Sequence, residues 1–195
     1  MYPQPSPAEQ SDFVLRLYFG VGPALVSCVG RAYLDLCRTV HGITPYKHAK
    51  KRATEFLLTQ LERLRSTAHV TGAASFDAWH KGTCDGLIGC YSDAGYREFS
   101  VGQAQKWINM ALKYVYVFGE SKLDGFAPFY SLCHIPIDNV ILGKLERAPT
   151  FACAWSRITS YDAYMGFQQW VRSAYPDSAP LAVEFWLWQD NSTAG

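Results

Sequence analysis

The sequence predicts an all-α fold, an orthogonal multi-helix domain of seven or so helices, and three observations lead there. Apolar residues recur at helical spacing along most of the chain, no run alternates as a half-buried strand would, and neither a heptad nor an internal repeat persists. At 195 residues the chain fits one domain with a core of its own. With 49% hydrophobic and 18% charged residues, disorder is excluded for the bulk of it.

The elements follow in order. Residues 1–10, with Pro3, Pro5 and Pro7, read as a disordered lead, residues 11–191 as the helical domain, and residues 192–195 as a frayed tail. Pro23 opens a helix to about Val40, stopped by Gly42, and Thr44 with Pro45 gives an N-cap followed by a proline in the first helical position. The helix after it, to about Ala68, carries Phe56, Leu57, Leu61 and Leu64 on one face. Ser75 caps a helix through Trp79, Leu87 and Ile88. A loop from Ala94 to Ser100 leads into a long helix from Val101 to about Val115, closed by Gly119. Asp138 opens a short helix from Asn139 to Leu145; two more span Ser160 to Ala174 and Pro180 to Trp188.

Composition narrows the function classes. No segment reaches the ~18 uncharged apolar residues of a membrane span, and the N-terminus lacks the basic start and apolar run of a secretory signal, so a cytoplasmic address follows by default. The six cysteines (Cys28, Cys37, Cys84, Cys90, Cys133, Cys153) show no C-x-x-C pair, which argues against a metal centre, an iron–sulfur cluster or a redox motif. They read as reduced, buried small hydrophobes, and no cofactor is implied. The formal net charge of +1 gives nucleic-acid binding little support, so any electrostatic footprint must be local.

Candidate chemistry concentrates on the helix from Val101. Lys106 and Lys113 are two turns apart and share a face at a separation of ~10.5 Å, with Asn109 between them and Gln105 beside Lys106. By itself that is a solvated polar stripe on an amphipathic helix. Asp138, following Ile135–Ile137, is by itself an N-cap.

Taken together, the stretch Ala104–Lys113 and the later Ile135–Asp138 resemble the archaeal 8-oxoguanine DNA glycosylases of the helix-hairpin-helix superfamily, and the bacterial proteins of 8-oxoguanine-glycosylase fold. The shared elements are a Gln-Lys pair at Gln105–Lys106, a second lysine seven residues on, and a Pro-x-Asp at Pro136–Asp138. The likeness covers the middle third of the chain. It implies a DNA glycosylase and lyase acting on an oxidised purine, with DNA as partner. Lys106 matches the lysine that attacks the sugar C1′ and forms a Schiff base. It must be neutral to attack, which desolvation or a neighbouring cation such as Lys113 would favour. Asp138 matches the aspartate that assists it and stabilises positive charge on the sugar. Glu184 and Trp188 match the acid-then-tryptophan helix of the base pocket, although a terminal tryptophan is equally a core residue; Trp79 and Trp107 read as core. The superfamily's Gly-x-Gly-x-Lys hairpin is represented only by Gly102, four residues before Lys106, so the loop that should offer backbone N–H groups to a phosphate departs from the pattern. The alternative on the same scaffold is a catalytically inactive DNA- or protein-binding module.

The run Lys47, Lys50, Lys51 and Arg52 places four cations at the start of a helix, where they oppose the helix dipole. A DNA phosphate would relieve that opposition, and a solvated helix face explains the same run without one.

Overall fold

A computed structural model describes residues 4–189, in which eight α-helices and four short 3-10 turns are present and no strand. The helices are α1 (Pro7–Phe19), α2 (Ala24–Leu36), α3 (Lys47–Ser66), α4 (Ala73–Ser92), α5 (Val101–Phe118), α6 (Asn139–Lys144), α7 (Tyr161–Ala174) and α8 (Pro180–Gln189). The all-α expectation holds. No single helix among the described residues is long and apolar enough to cross a membrane.

The centre is α5. Every residue from Val101 to Leu112 is buried, and α2, α4, α7 and the turn Trp155–Arg157 pack around it. A helix buried all round is a core helix, so the solvated stripe expected on α5 is corrected. Its polar residues are inside, each with its own partner. Trp107 anchors the α2 side, its indole N–H donating to the Val29 carbonyl at 3.0 Å while its ring tilts against Tyr33. On the other flank α3 and α4 pack side by side, and Gly86 makes room for the Phe56 ring: a Cβ at Gly86 would lie 2.1 Å from it.

Several boundaries differ from the sequence reading. The disordered lead is replaced from Pro7 by α1, because Ser6 and Glu9 form a capping box: the Glu9 N–H donates to Ser6 Oγ and the Ser6 N–H to Glu9 Oε2. Residues 1–3 and the expected tail 192–195 lie outside the described residues. Thr44 does not cap α3; residues 44–46 form a 3-10 turn and α3 starts at Lys47 without a side-chain cap. Ser75 is not the cap of α4. It sits three residues after the N-cap Gly72 and accepts from the Thr71 and Gly72 N–H groups. Cys28, Cys84 and Cys133 are buried as expected, Cys37 and Cys90 only partly, and Cys153 is exposed.

A candidate active-site cleft

The segment Ile135–Ile137 runs extended beside α5, held by two buried glutamine amides. Gln105 accepts from the Ile137 N–H at 3.1 Å and donates to the Ile137 carbonyl at 3.0 Å. Gln168 on α7 treats Ile135 likewise, at 3.1 and 2.8 Å. Each amide replaces the neighbouring strand this segment lacks, as buried backbone groups require. The segment delivers Asp138 to Lys106. Lys106 Nζ donates to Asp138 Oδ2 at 2.5 Å, while Asp138 Oδ1 caps α6 by accepting from the Ile141 N–H at 2.9 Å. The N-cap and the ion-pair partner are therefore one carboxylate, and its rotamer is fixed by the capping bond. Lys106 and Asp138 side chains are 5% and 16% exposed, the accessible part opening on a cleft.

That cleft encloses about 780 Å³ between α1, α2, α5, α6 and α8. Lys106, Lys113 and Met110 line its α5 wall, and Arg31 and Asp35 of α2, with Arg38 in the 3-10 turn Cys37–Thr39 that follows, line another. Lys113 Nζ pairs with Glu184 Oε1 at 2.8 Å, 5.3 Å from the centre of the Trp188 ring, which is half exposed at the rim. Glu184 is almost fully buried; its other oxygen has no hydrogen-bond partner among the described residues, and burial pushes its carboxyl up against the opposing pull of Lys113. On the α1 side, Arg31 lies over the Tyr18 ring at 4.1 Å and donates to its hydroxyl, and Tyr114 donates to Asp35 at 2.5 Å.

Of the residues singled out from sequence, the fold brings Lys106, Asp138, Lys113, Glu184 and Trp188 to this one region, with Gln105 behind it. Asn109 is different. Rather than standing between the two lysines, it turns into a second buried network, which the sequence reading missed. Its Nδ2 donates to the Tyr164 hydroxyl at 2.9 Å and its Oδ1 faces His80 Nε2 at 3.0 Å. Tyr164 meets His134 Nδ1 at 2.7 Å, His134 Nε2 meets Asp77 at 2.7 Å, and Arg172 closes the chain with a two-pronged bond to Asp77. With the carboxylate accepting, His134 carries its proton on Nε2 and accepts on Nδ1 from Tyr164, so both imidazoles fit as neutral groups. Burial lowers both histidines; at Asp77 burial works upward, but the bonds from Arg172 and His134 hold it well below the usual carboxylate range. The signal available in sequence was Tyr161, Tyr164, Gln168 and Arg172 at helical intervals on α7.

The start of α5 is closed. The Gly102 N–H donates to the Ile158 carbonyl at 2.9 Å, the Gln103 N–H to Ser100 Oγ, and Ser100 Oγ to the Ser156 carbonyl at 2.6 Å. The turn Trp155–Arg157 lies so close that a Cβ at Gly102 would fall 1.8 Å from the Trp155 carbonyl oxygen. This glycine serves packing between helix and turn.

The basic run on α3 lies across α2 from the cleft. Lys50 sits 4.4 Å over the Tyr33 ring, Lys51 is 4.0 Å from Glu55 and Arg52 3.4 Å from Asp93; the side chain of Lys47 lies outside what the structure describes. Among the described residues no group of three His, Cys, Asp or Glu is placed to hold a metal ion. No family model, curated protein or solved structure matches the chain.

Proposed function

We propose that the protein is a DNA glycosylase with an associated lyase step, acting on an oxidised purine such as 8-oxoguanine. The observation that carries this reading is the buried Lys106–Asp138 contact of 2.5 Å at the wall of a 780 Å³ cleft with a half-exposed tryptophan at its rim. Asp138 takes one proton from the Lys106 ammonium, which frees the nitrogen lone pair. The amine then bonds to C1′ as the C1′–N bond to the base breaks, its electron pair leaving with the base. The proton held by Asp138 neutralises the departing base. Transfer of a second nitrogen proton to the ring oxygen opens the sugar and leaves a protonated Schiff base, facing the regenerated Asp138 carboxylate. That carboxylate is preorganised to oppose the positive charge, because its capping bond to α6 fixes it in place. A flat base would stack on Trp188, and Lys113, held from behind by Glu184, would meet its polar edge.

One observation favours the second reading, a non-catalytic binding module on the same scaffold: the start of α5, which should grip a phosphate, has its donors spent within the protein. Incubation with a lesion-bearing oligonucleotide separates the two. The first reading expects free oxidised base and a Lys106-dependent adduct under borohydride; binding without either leaves the module.

A further inference from the structure

We propose that the cleft takes a single unpaired nucleotide, offered by a single strand or free in solution, in preference to duplex DNA. The inference rests on the glycosylase reading for the identity of the site, and four observations carry it. First, the N-terminus of α5 is roofed by the turn Trp155–Arg157, and the N–H groups of Gly102 and Gln103 are both consumed. These donors are closed to a phosphate, since even a Cβ finds no room at Gly102. Second, the described cations of the α3 run stand on the opposite face of α2 from the cleft, because Tyr33, which Lys50 covers, is on the flank away from Arg31, Leu34 and Asp35. The α3 cations therefore add no charge to the cleft itself. Third, the rim is apolar: Val14, Leu34, Val117, Val140 and Trp188 are all at least 39% exposed. Such a rim costs a polyanionic helix its solvation yet suits the face of one base. Fourth, within the cleft Arg38 is exposed and has no hydrogen bond or ion pair to any described residue, which leaves one guanidinium for one phosphate. The volume falls in the range of small-molecule sites.

The experiment uses the full chain with a fluorescent single-stranded oligonucleotide containing 8-oxoguanine, the same strand in duplex, and unlabelled 8-oxo-dGMP as competitor. Single strand should bind at least ten-fold more tightly than duplex, with a salt slope near −1 rather than the steep slope of many phosphate contacts. Arg38→Ala, on an exposed position that leaves the fold intact, should weaken binding about ten-fold, and Trp188→Ala should do the same. Competition by the mononucleotide would mark free nucleotides as a source, and its failure would confine the site to strands. Duplex binding as tight as single-strand binding, or no binding by strand or nucleotide, overturns the proposal. Base release, scored in the same samples, keeps the two readings apart. Release from duplex bound as tightly as single strand sinks this inference and spares the glycosylase; preferential single-strand binding without release does the reverse.

Discussion

Gly102→Ala is the substitution for which the structure gives the most definite outcome. The new Cβ would lie 1.8 Å from the Trp155 carbonyl oxygen and 2.9 Å from its carbon, both backbone atoms, so either α5 or the turn must recede by more than an ångström. Receding breaks the bond from the Gly102 N–H to Ile158 and strains that from Ser100 Oγ to Ser156, at about 1 kcal/mol each. Overpacking of a fitted contact adds roughly 1–3 kcal/mol. Alanine returns about 1 kcal/mol through its better helix propensity. The net is a loss of roughly 2–4 kcal/mol, visible in urea melts followed by circular dichroism as a fall in midpoint of about 1–2 M at unchanged slope. A variant with the wild-type midpoint that has lost affinity for DNA would refute the reasoning, since the glycine would then serve a phosphate and not the packing of α5.

Three further outcomes follow from the buried groups. Asp138→Asn keeps the capping oxygen for Ile141 but leaves the Lys106 charge unpaired; it should cost about 2–3 kcal/mol, and Lys106→Met in the same chain should restore most of it, as a double-mutant cycle would record. Stability should fall on acidification from about pH 6.5 to 5. His80 and His134 take up protons on unfolding but resist them when buried, so the unfolded state gains by up to ~1.4 kcal/mol per pH unit for each histidine. Below about pH 4 the depressed Asp77 adds to the loss, whereas the raised Glu184 works in the opposite sense; a flat profile from pH 7 to 5 would contradict the network. Glu184→Gln should strand the Lys113 charge and put an amide NH2 where the unpaired carboxylate oxygen stands, so melting temperature and base release should fall together; an unchanged melting temperature would contradict the pairing.

The fold class was legible because helical periodicity survives in every long element, whereas the cleft residues Lys106, Asp138, Lys113 and Glu184 were picked out by the resemblance, their spacing alone reading as a solvated stripe and an N-cap. What sequence hid was burial. A lysine, two glutamines and an asparagine in α5 look like a wet face, and only the partners supplied by Thr39, α4, α7 and the Ile135–Asp138 segment, distant in sequence, let them be dry. The same distance concealed the Asp77–His134–Tyr164 chain, whose members come from three elements. Helix α1 was missed for a local reason. Its three early prolines suggested disorder, whereas Ser6, Pro7 and Glu9 together form a helix start.

The central claim is tested most directly by borohydride trapping on a single-stranded oligonucleotide that carries intact 8-oxoguanine. Because Lys106 is buried and paired with Asp138, replacing it costs more than a surface swap, so Lys106→Gln is first shown to be folded by its circular dichroism spectrum. The account predicts a covalent adduct and free oxidised base with the wild-type chain, and neither with Lys106→Gln. A folded wild-type chain that gives no adduct and releases no base, or an adduct that persists undiminished in Lys106→Gln, would contradict it.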